Sequence, residues 1–183
     1  MKKQSVFAYV MKLAVTLLLI TGITAAALAG INSVTAPIIA QINAEKTQQA
    51  IEAVLPGGGE KLDSFSDEGG IVSAVYASDT GYAVEVNPAG FNGAVKMMVG
   101  VSKDGKVLNI SVVSHTETAG LGAVAAAKTS AGEAFRGQFA DKSGTLAVTA
   151  DGGEIDAITG ATITSRAVTE GVNAALACVE KLG

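Results

Sequence analysis

The chain has 183 residues, 49% of them apolar, with 17 acidic against 13 basic side chains, one histidine and one cysteine. A single cysteine makes no disulfide framework, and with one histidine it makes no Cys/His zinc or iron–sulfur centre. Every acidic residue follows Ile31, whereas Lys2, Lys3 and Lys12 precede it, so the remainder of the chain is acidic and unsuited to nucleic acid.

The first element is apolar. From Leu13 to Ala29 there is no charged side chain, and Phe7 to Val10 extend the run if Lys12 snorkels to the headgroups, which is long enough to cross a bilayer. Lys2, Lys3 and Lys12 lie on its N-terminal side and the next positive charge is Lys46, so the positive-inside rule puts the N-terminus in the cytoplasm and the rest outside. Ala27-Leu28-Ala29 before Gly30 also has the small-x-small form of a processing site, so the stretch reads either as a retained anchor or as a cleaved signal peptide. Both export the domain. The expected organisation is a cytoplasmic N-terminus over 1–6, a transmembrane anchor over 7–30, a helical stalk and linker over 31–59, and an extracytoplasmic domain over 60–183.

After Pro37, the residues Ile38, Ile39, Ile42, Ala50, Ile51 and Val54 recur at helical spacing until Pro56-Gly57-Gly58-Gly59 stops the pattern. That glycine cluster lacks a Gly-Lys-Ser/Thr ending and a preceding strand, so it reads as a linker and not a phosphate loop. The period then changes to two. Val72, Ala74 and Tyr76; Tyr82, Val84 and Val86; Val95, Met97, Val99 and Val101; and Leu108, Ile110 and Val112 predict four strands with one apolar face each. Asp79-Thr80-Gly81 and Asp104-Gly105 are tight-turn sequences, and at least the last two strands are expected to pair as an antiparallel hairpin.

A helix is predicted from about Ala123 to Phe139, then a short strand at Leu146-Ala147-Val148, then a loop over Asp156 to Thr162. A final helix carries Val168, Val172, Ala175, Leu176, Val179 and Leu182 as one stripe. Cys178 lies on it as a small apolar side chain. The fold class is α+β, a mainly antiparallel sheet with packed helices behind one N-terminal transmembrane helix. His115, alone at a strand end, reads as structural and not as a ligand, and no metal site or catalytic nucleophile–base pair is visible.

Thr159-Gly160-Ala161-Thr162 places hydroxyls beside a helix N-terminus, where unpartnered N–H groups and the peptide dipoles favour a phosphate; by itself it reads first as a capping motif. With Asp156 upstream, this segment resembles the flavinylation signature of the FMN-binding subunits of the Rnf and Na+-translocating NADH:quinone oxidoreductase complexes. A second segment, Glu117-Thr118-Ala119-Gly120-Leu121-Gly122, is similar to the Glu-Thr-Pro-Gly-Leu-Gly loop of those families, with Ala119 in place of Pro. Gly90-Phe91-Asn92-Gly93 and Ala134-Phe135-Arg136-Gly137-Gln138-Phe139 also resemble family segments.

The resemblance implies FMN joined covalently through its phosphate, as a phosphodiester, to Thr162. Gly160, Ala161, Gly120, Leu121 and Gly122 would bring backbone close to it, Thr159 and Thr164 would supply hydroxyls, and Glu117 and Thr118 would stand near the ring or ribityl chain. The two loops, each before a helix, are expected to face one another and form one pocket. Asp156 is implied in recognition by a Mg2+-dependent flavin transferase that uses FAD as donor; the alternative for it is a turn residue. Arg166 is not required. A tether suits a flavin outside the cytoplasmic membrane, where a lost cofactor would be diluted away.

The implied function is an electron-carrier subunit, most like the G subunit of the Rnf ferredoxin:NAD+ oxidoreductase, with other membrane and iron–sulfur subunits as partners. No Gly-x-Gly-x-x-Gly follows a strand, so NADH is not expected to bind. The alternatives are the equivalent subunit of the Na+-translocating quinone reductase, which is usually longer, and a membrane-anchored assembly or binding module without covalent flavin.

Overall fold

The computed structural model of the chain describes residues 6–62 and 70–182. Lys2 and Lys3, which carry part of the orientation argument, lie outside the described residues. Helix α1 covers Val6–Val54, and the chain divides between Glu45 and Lys46 into two compact units.

The described part of the first unit is apolar helix. It is long and apolar enough to cross a membrane. Its threonine hydroxyls are satisfied inside the helix: Thr16, Thr21 and Thr24 each donate to the carbonyl four residues back, all at 2.8 Å. That is how a polar side chain is tolerated where water is absent.

In the second unit, strands β1 (Glu60–Lys61), β2 (Val72–Ala77), β3 (Gly81–Val86), β4 (Lys96–Ser102) and β5 (Val107–Ser114) form one sheet in chain order. All neighbours are antiparallel. The β4–β5 join is a tight turn in which Gly105 N–H donates to the Ser102 carbonyl at 3.0 Å and Gly105 takes a φ of 72°. Two helices follow, α2 (Ser130–Gly137) and α3 (Thr162–Leu182).

The sheet buries both faces. One carries Val84, Val86, Val95, Met97, Val99 and Val101 against Val168, Val172, Ala175 and Val179 of α3. The other carries Ala83 and Met98 against Ala50, Ile51, Val54 and Leu55, the end of α1. The last residues of the predicted stalk therefore pack as core. Gly100 makes this possible, because a Cβ there would lie 2.2 Å from the Val54 carbonyl oxygen. We expect Gly100→Ala to cost about 1–3 kcal/mol by forcing the helix end off the sheet, measured by urea denaturation.

Two predicted stripes are broken by bulges, each an extra residue that reverses which side chains face inward. In β2 the register slips between Val72 and Ala74, so Val72 joins the α3 side while Tyr76 joins the α1 side and Val75 is buried. In β5 it slips opposite Gly100/Val101, so Val107 is buried and Leu108 exposed. β3 and β4 keep the expected faces.

The helix expected from Ala123 to Phe139 is two pieces. A 3₁₀ turn covers Gly122–Ala126, Ala127 is extended with a ψ of 140°, and α2 starts only after Thr129, whose hydroxyl accepts from Gly132 N–H at 3.4 Å. Gly132 lets the pieces fold against each other, since a Cβ there would lie 2.3 Å from the Ala127 carbonyl oxygen. The Arg136 guanidinium then donates to the carbonyls of Ala125 and Ala127 at 2.6 and 3.1 Å. Leu146-Ala147-Val148 forms no strand: Val148 makes an isolated parallel bridge with Ile155. The side-chain amide of Asn173 meets the N–H and carbonyl of Leu146 at 2.9 and 2.8 Å, supplying what a neighbouring strand would have. On α3 the predicted stripe is buried except Leu182, which is exposed at the helix end.

Candidate functional site

Two turns of the same design meet at one end of the sheet. In the first, Leu121 N–H donates to the Thr118 carbonyl at 3.2 Å with Gly120 at a φ of 77°. In the second, Ala161 N–H donates to the Ile158 carbonyl at 2.9 Å with Gly160 at a φ of 74°. Both have the form of a turn whose third residue must take positive φ, which is why glycine stands there. The turns touch, since a Cβ on Gly160 would lie 3.1 Å from Leu121 Cδ2. Ala119 occupies the second position of its turn, where proline is favoured. We expect Ala119→Pro to raise stability by about 0.4–1 kcal/mol through a less flexible unfolded chain, seen as a higher thermal midpoint.

Behind the turns lies Glu117, only 8% exposed. Its Oε1 accepts from the backbone N–H of Asn92 at 3.0 Å and its Oε2 accepts from the Thr164 hydroxyl at 2.6 Å. The carboxylate thereby joins three separate elements: the loop after β3, the loop after β5 and the start of α3. Gly90 and Gly122 give it room, because a Cβ on either would fall 2.4 Å from Glu117 Oε1 or from Thr164 Oγ1 respectively. The His115 Nδ1 accepts from Glu117 N–H at 3.2 Å.

The first helical residues of α3 supply N–H groups without partners inside the helix, together with the positive end of its dipole. Ser165 fastens this end by accepting from Ile158 N–H and donating to the Ala161 carbonyl, both at 3.0 Å. Thr164 is tied to Glu117. The Thr162 hydroxyl, by contrast, makes no hydrogen bond among the described residues and stands half-buried at the rim of a cleft of about 370 Å³. That size lies within the range of about 300–1,000 Å³ usual for small-molecule sites.

Glu117, Thr118, Leu121 and Gly122 line one side of this cleft, and Gly160, Ala161, Thr162, Ile163 and Thr164 the other. The expectation of one pocket between the two loops is met. Gly120, Thr159 and Asp156 instead line an adjoining groove of about 580 Å³. Asp156 is exposed, and its backbone is clamped by the Gln138 amide, which accepts from its N–H at 2.7 Å and donates to its carbonyl at 3.1 Å. Arg166 is turned away from the cleft to Asp151, meeting both carboxylate oxygens at 2.6 Å. The hydrogen bond from Arg166 holds the Asp151 carboxyl below its ordinary range, with desolvation opposing and the Arg166 charge adding to it.

Phe91 and Ile163 also line the cleft and were not among the expected site residues. Phe91 is 65% exposed, Ile163 49% and Leu121 43%. Gly90-Phe91-Asn92-Gly93 was legible as a family-like segment, but its proximity to Thr162 depends on tertiary contact. An apolar rim beside a free hydroxyl at a helix N-terminus fits a molecule with a flat apolar ring at one end and a phosphate at the other. The residues present therefore suit FMN.

Three of the four family-like segments, far apart in sequence, converge on this cleft, and the fourth, Ala134–Phe139, lines the adjoining groove. A family model described as the FMN-binding domain matches residues 90–177, spanning Gly90-Phe91-Asn92-Gly93 through most of α3. The chain is 37% identical over 95% of its length to the G subunit of the proton-translocating ferredoxin:NAD(+) oxidoreductase complex of Clostridium ljungdahlii, covering 91% of that protein. It is 33% identical to the G subunit of the Na(+)-translocating ferredoxin:NAD(+) oxidoreductase complex of Acetobacterium woodii, over 94% of this chain and 93% of that one. The G subunit of the ion-translocating oxidoreductase complex of Methanosarcina acetivorans is 32% identical, over 90% and 92% of the two chains. Similarity at this level along nearly the whole chain places the protein in the family of G subunits of Rnf-type ion-translocating oxidoreductase complexes, with an FMN-binding domain.

Proposed function

We propose that this subunit carries FMN covalently on Thr162 and passes electrons within a membrane ferredoxin:NAD+ oxidoreductase complex. The observation that carries the reading is the contrast among the hydroxyls at the start of α3: Thr164 and Ser165 are committed to Glu117 and to the loop, and Thr162 alone is free. A free hydroxyl at the positive end of a helix is placed both to attack a phosphoryl group and to keep the resulting phosphodiester.

Attachment takes the FMN half of FAD. The bond from the flavin-side phosphorus to the bridging pyrophosphate oxygen breaks, the bond from Thr162 Oγ1 to that phosphorus forms, AMP leaves with the bridging oxygen, and the hydroxyl proton passes to base. A separate transferase performs this step, and exposed Asp156, beside Thr159 in the adjoining groove, is the residue it recognises. When bound, FMN supplies one- and two-electron transfer. The protein would position it: the first amides of α3 would hold the phosphate, the two glycine turns would bring backbone near, and Leu121 and Ile163 would shield the rim from water.

The apolar helix anchors the chain in the cell membrane as a single span, with Lys12 on the cytoplasmic side and the domain outside. The partners are the other membrane and iron–sulfur subunits of the complex. Relatives named for proton and for Na(+) translocation are similarly alike to this chain, which supports an electron relay and not the element that selects the ion. The test is the intact mass of the full-length chain produced with its transferase: an increment of one FMN phosphoryl group is expected, and bare polypeptide would overturn the proposal.

A further inference from the structure

We infer that Phe91 forms one wall of the subsite for the flavin ring, held beside the cleft by the Asn92–Glu117 contact; this deepens the reading above and rests on it. In Gly90-Phe91-Asn92-Gly93, three residues are consumed in docking the loop. Gly90 lies where any Cβ would strike Glu117 Oε1, and Gly93, at a φ of 138°, where a Cβ would lie 2.7 Å from Thr116 Oγ1. Asn92 is fastened at three points: its N–H donates to Glu117, its carbonyl accepts from the Thr116 hydroxyl at 2.7 Å, and its Nδ2 donates to Thr118 Oγ1 at 3.4 Å.

Phe91 alone has no part in this. It stays 65% exposed in the same cleft as Thr162, Leu121 and Ile163. Leaving a phenyl ring in water forgoes the stabilisation its burial would bring, and a loop tied down at the next residue holds the Phe91 backbone at the rim. An aromatic side chain presented there is suited to offset stacking on a planar heteroaromatic ring. The frame is continuous: the Phe91 loop bonds to Glu117, Glu117 bonds to Thr164, and Thr164 lies one residue past Ile163 on the helix that begins with Thr162. Wall and tether point are therefore held in one arrangement before the cofactor arrives, the condition for a preorganised site.

The test uses the full-length chain, produced with a flavin transferase and purified in detergent, as wild type, Phe91→Trp, Phe91→Tyr and Phe91→Ala. Indole and phenol quench an excited flavin by donating an electron at van der Waals contact, whereas a phenyl ring does not. The chain contains no tryptophan, so an introduced indole is a new donor. The Trp and Tyr variants should carry the same FMN mass as wild type and show severalfold lower native flavin fluorescence, recovered on denaturation, while Phe91→Ala is no dimmer than wild type. Tyr differs by one hydroxyl on an exposed ring, so the fold is retained. Undiminished native fluorescence in loaded Trp and Tyr variants overturns the assignment of Phe91 and leaves Thr162 attachment standing. A wild-type chain without the adduct removes both.

Discussion

We expect Thr162→Ala to abolish in-gel flavin fluorescence after denaturing electrophoresis and Thr164→Ala to retain it. The two threonines lie two residues apart on α3 and differ in what their hydroxyls already do. Thr164 is buried and donates to Glu117 at 2.6 Å, so its oxygen is not available to a phosphoryl donor. Thr162 is half-buried at the rim with no hydrogen bond among the described residues. Replacing Thr162 therefore removes the acceptor without removing a contact, and stability should stay within about 0.5 kcal/mol of wild type. Thr164→Ala does the reverse: it leaves a buried carboxylate oxygen short of a donor, a loss of about 1–3 kcal/mol, yet keeps the acceptor. Thr162→Ser should be labelled, since the hydroxyl remains. A fluorescent Thr162→Ala band with a dark Thr164→Ala band would move the acceptor to Thr164.

Much of this site was legible before folding because its parts are local. A Thr-Gly-Ala-Thr run before a helix announces both its turn glycine and its helix start, and Gly120 likewise marks the turn at Thr118–Leu121. Strands β3 and β4 were equally clear, since uninterrupted alternation leaves only one register that buries Val84, Val86, Met97, Val99 and Val101. What escaped depends on partners distant in sequence. The bulges near Val72 and Leu108 shift parity by one residue, and nothing in either residue type signals it. The alanine-rich run after Gly122 has good helix propensity, but Arg136 and Gly132 stabilise a 3₁₀ turn folded back on α2. Leu146 lacks a strand because Asn173, on a helix 27 residues later, satisfies its backbone. Phe91 was missed as a cleft residue for the same reason: the contacts of Asn92 with Thr116 and Thr118, and its bond to Glu117 25 residues away, bring it beside Thr162.

That bond makes Glu117→Ala the most damaging single change expected outside the attachment residue itself. Truncation strands two donors at once, the part-buried Asn92 N–H and the buried Thr164 hydroxyl, and opens the space between Gly90 and Gly122. With each unsatisfied group costing about 1–3 kcal/mol, a loss of about 2–4 kcal/mol is expected, read from urea denaturation. Glu117→Gln should lose under about 1 kcal/mol, because the side-chain oxygen still accepts from Asn92 and the new amide donates to Thr164, whose hydroxyl turns from donor to acceptor. The two variants also separate packing from positioning. If the carboxylate sets the frame in which Phe91 and Thr162 face one cleft, flavin loading at a temperature where both are folded should fall several-fold in Glu117→Ala and stay near wild type in Glu117→Gln. Wild-type stability and loading in Glu117→Ala would show that the three elements hold their places without it.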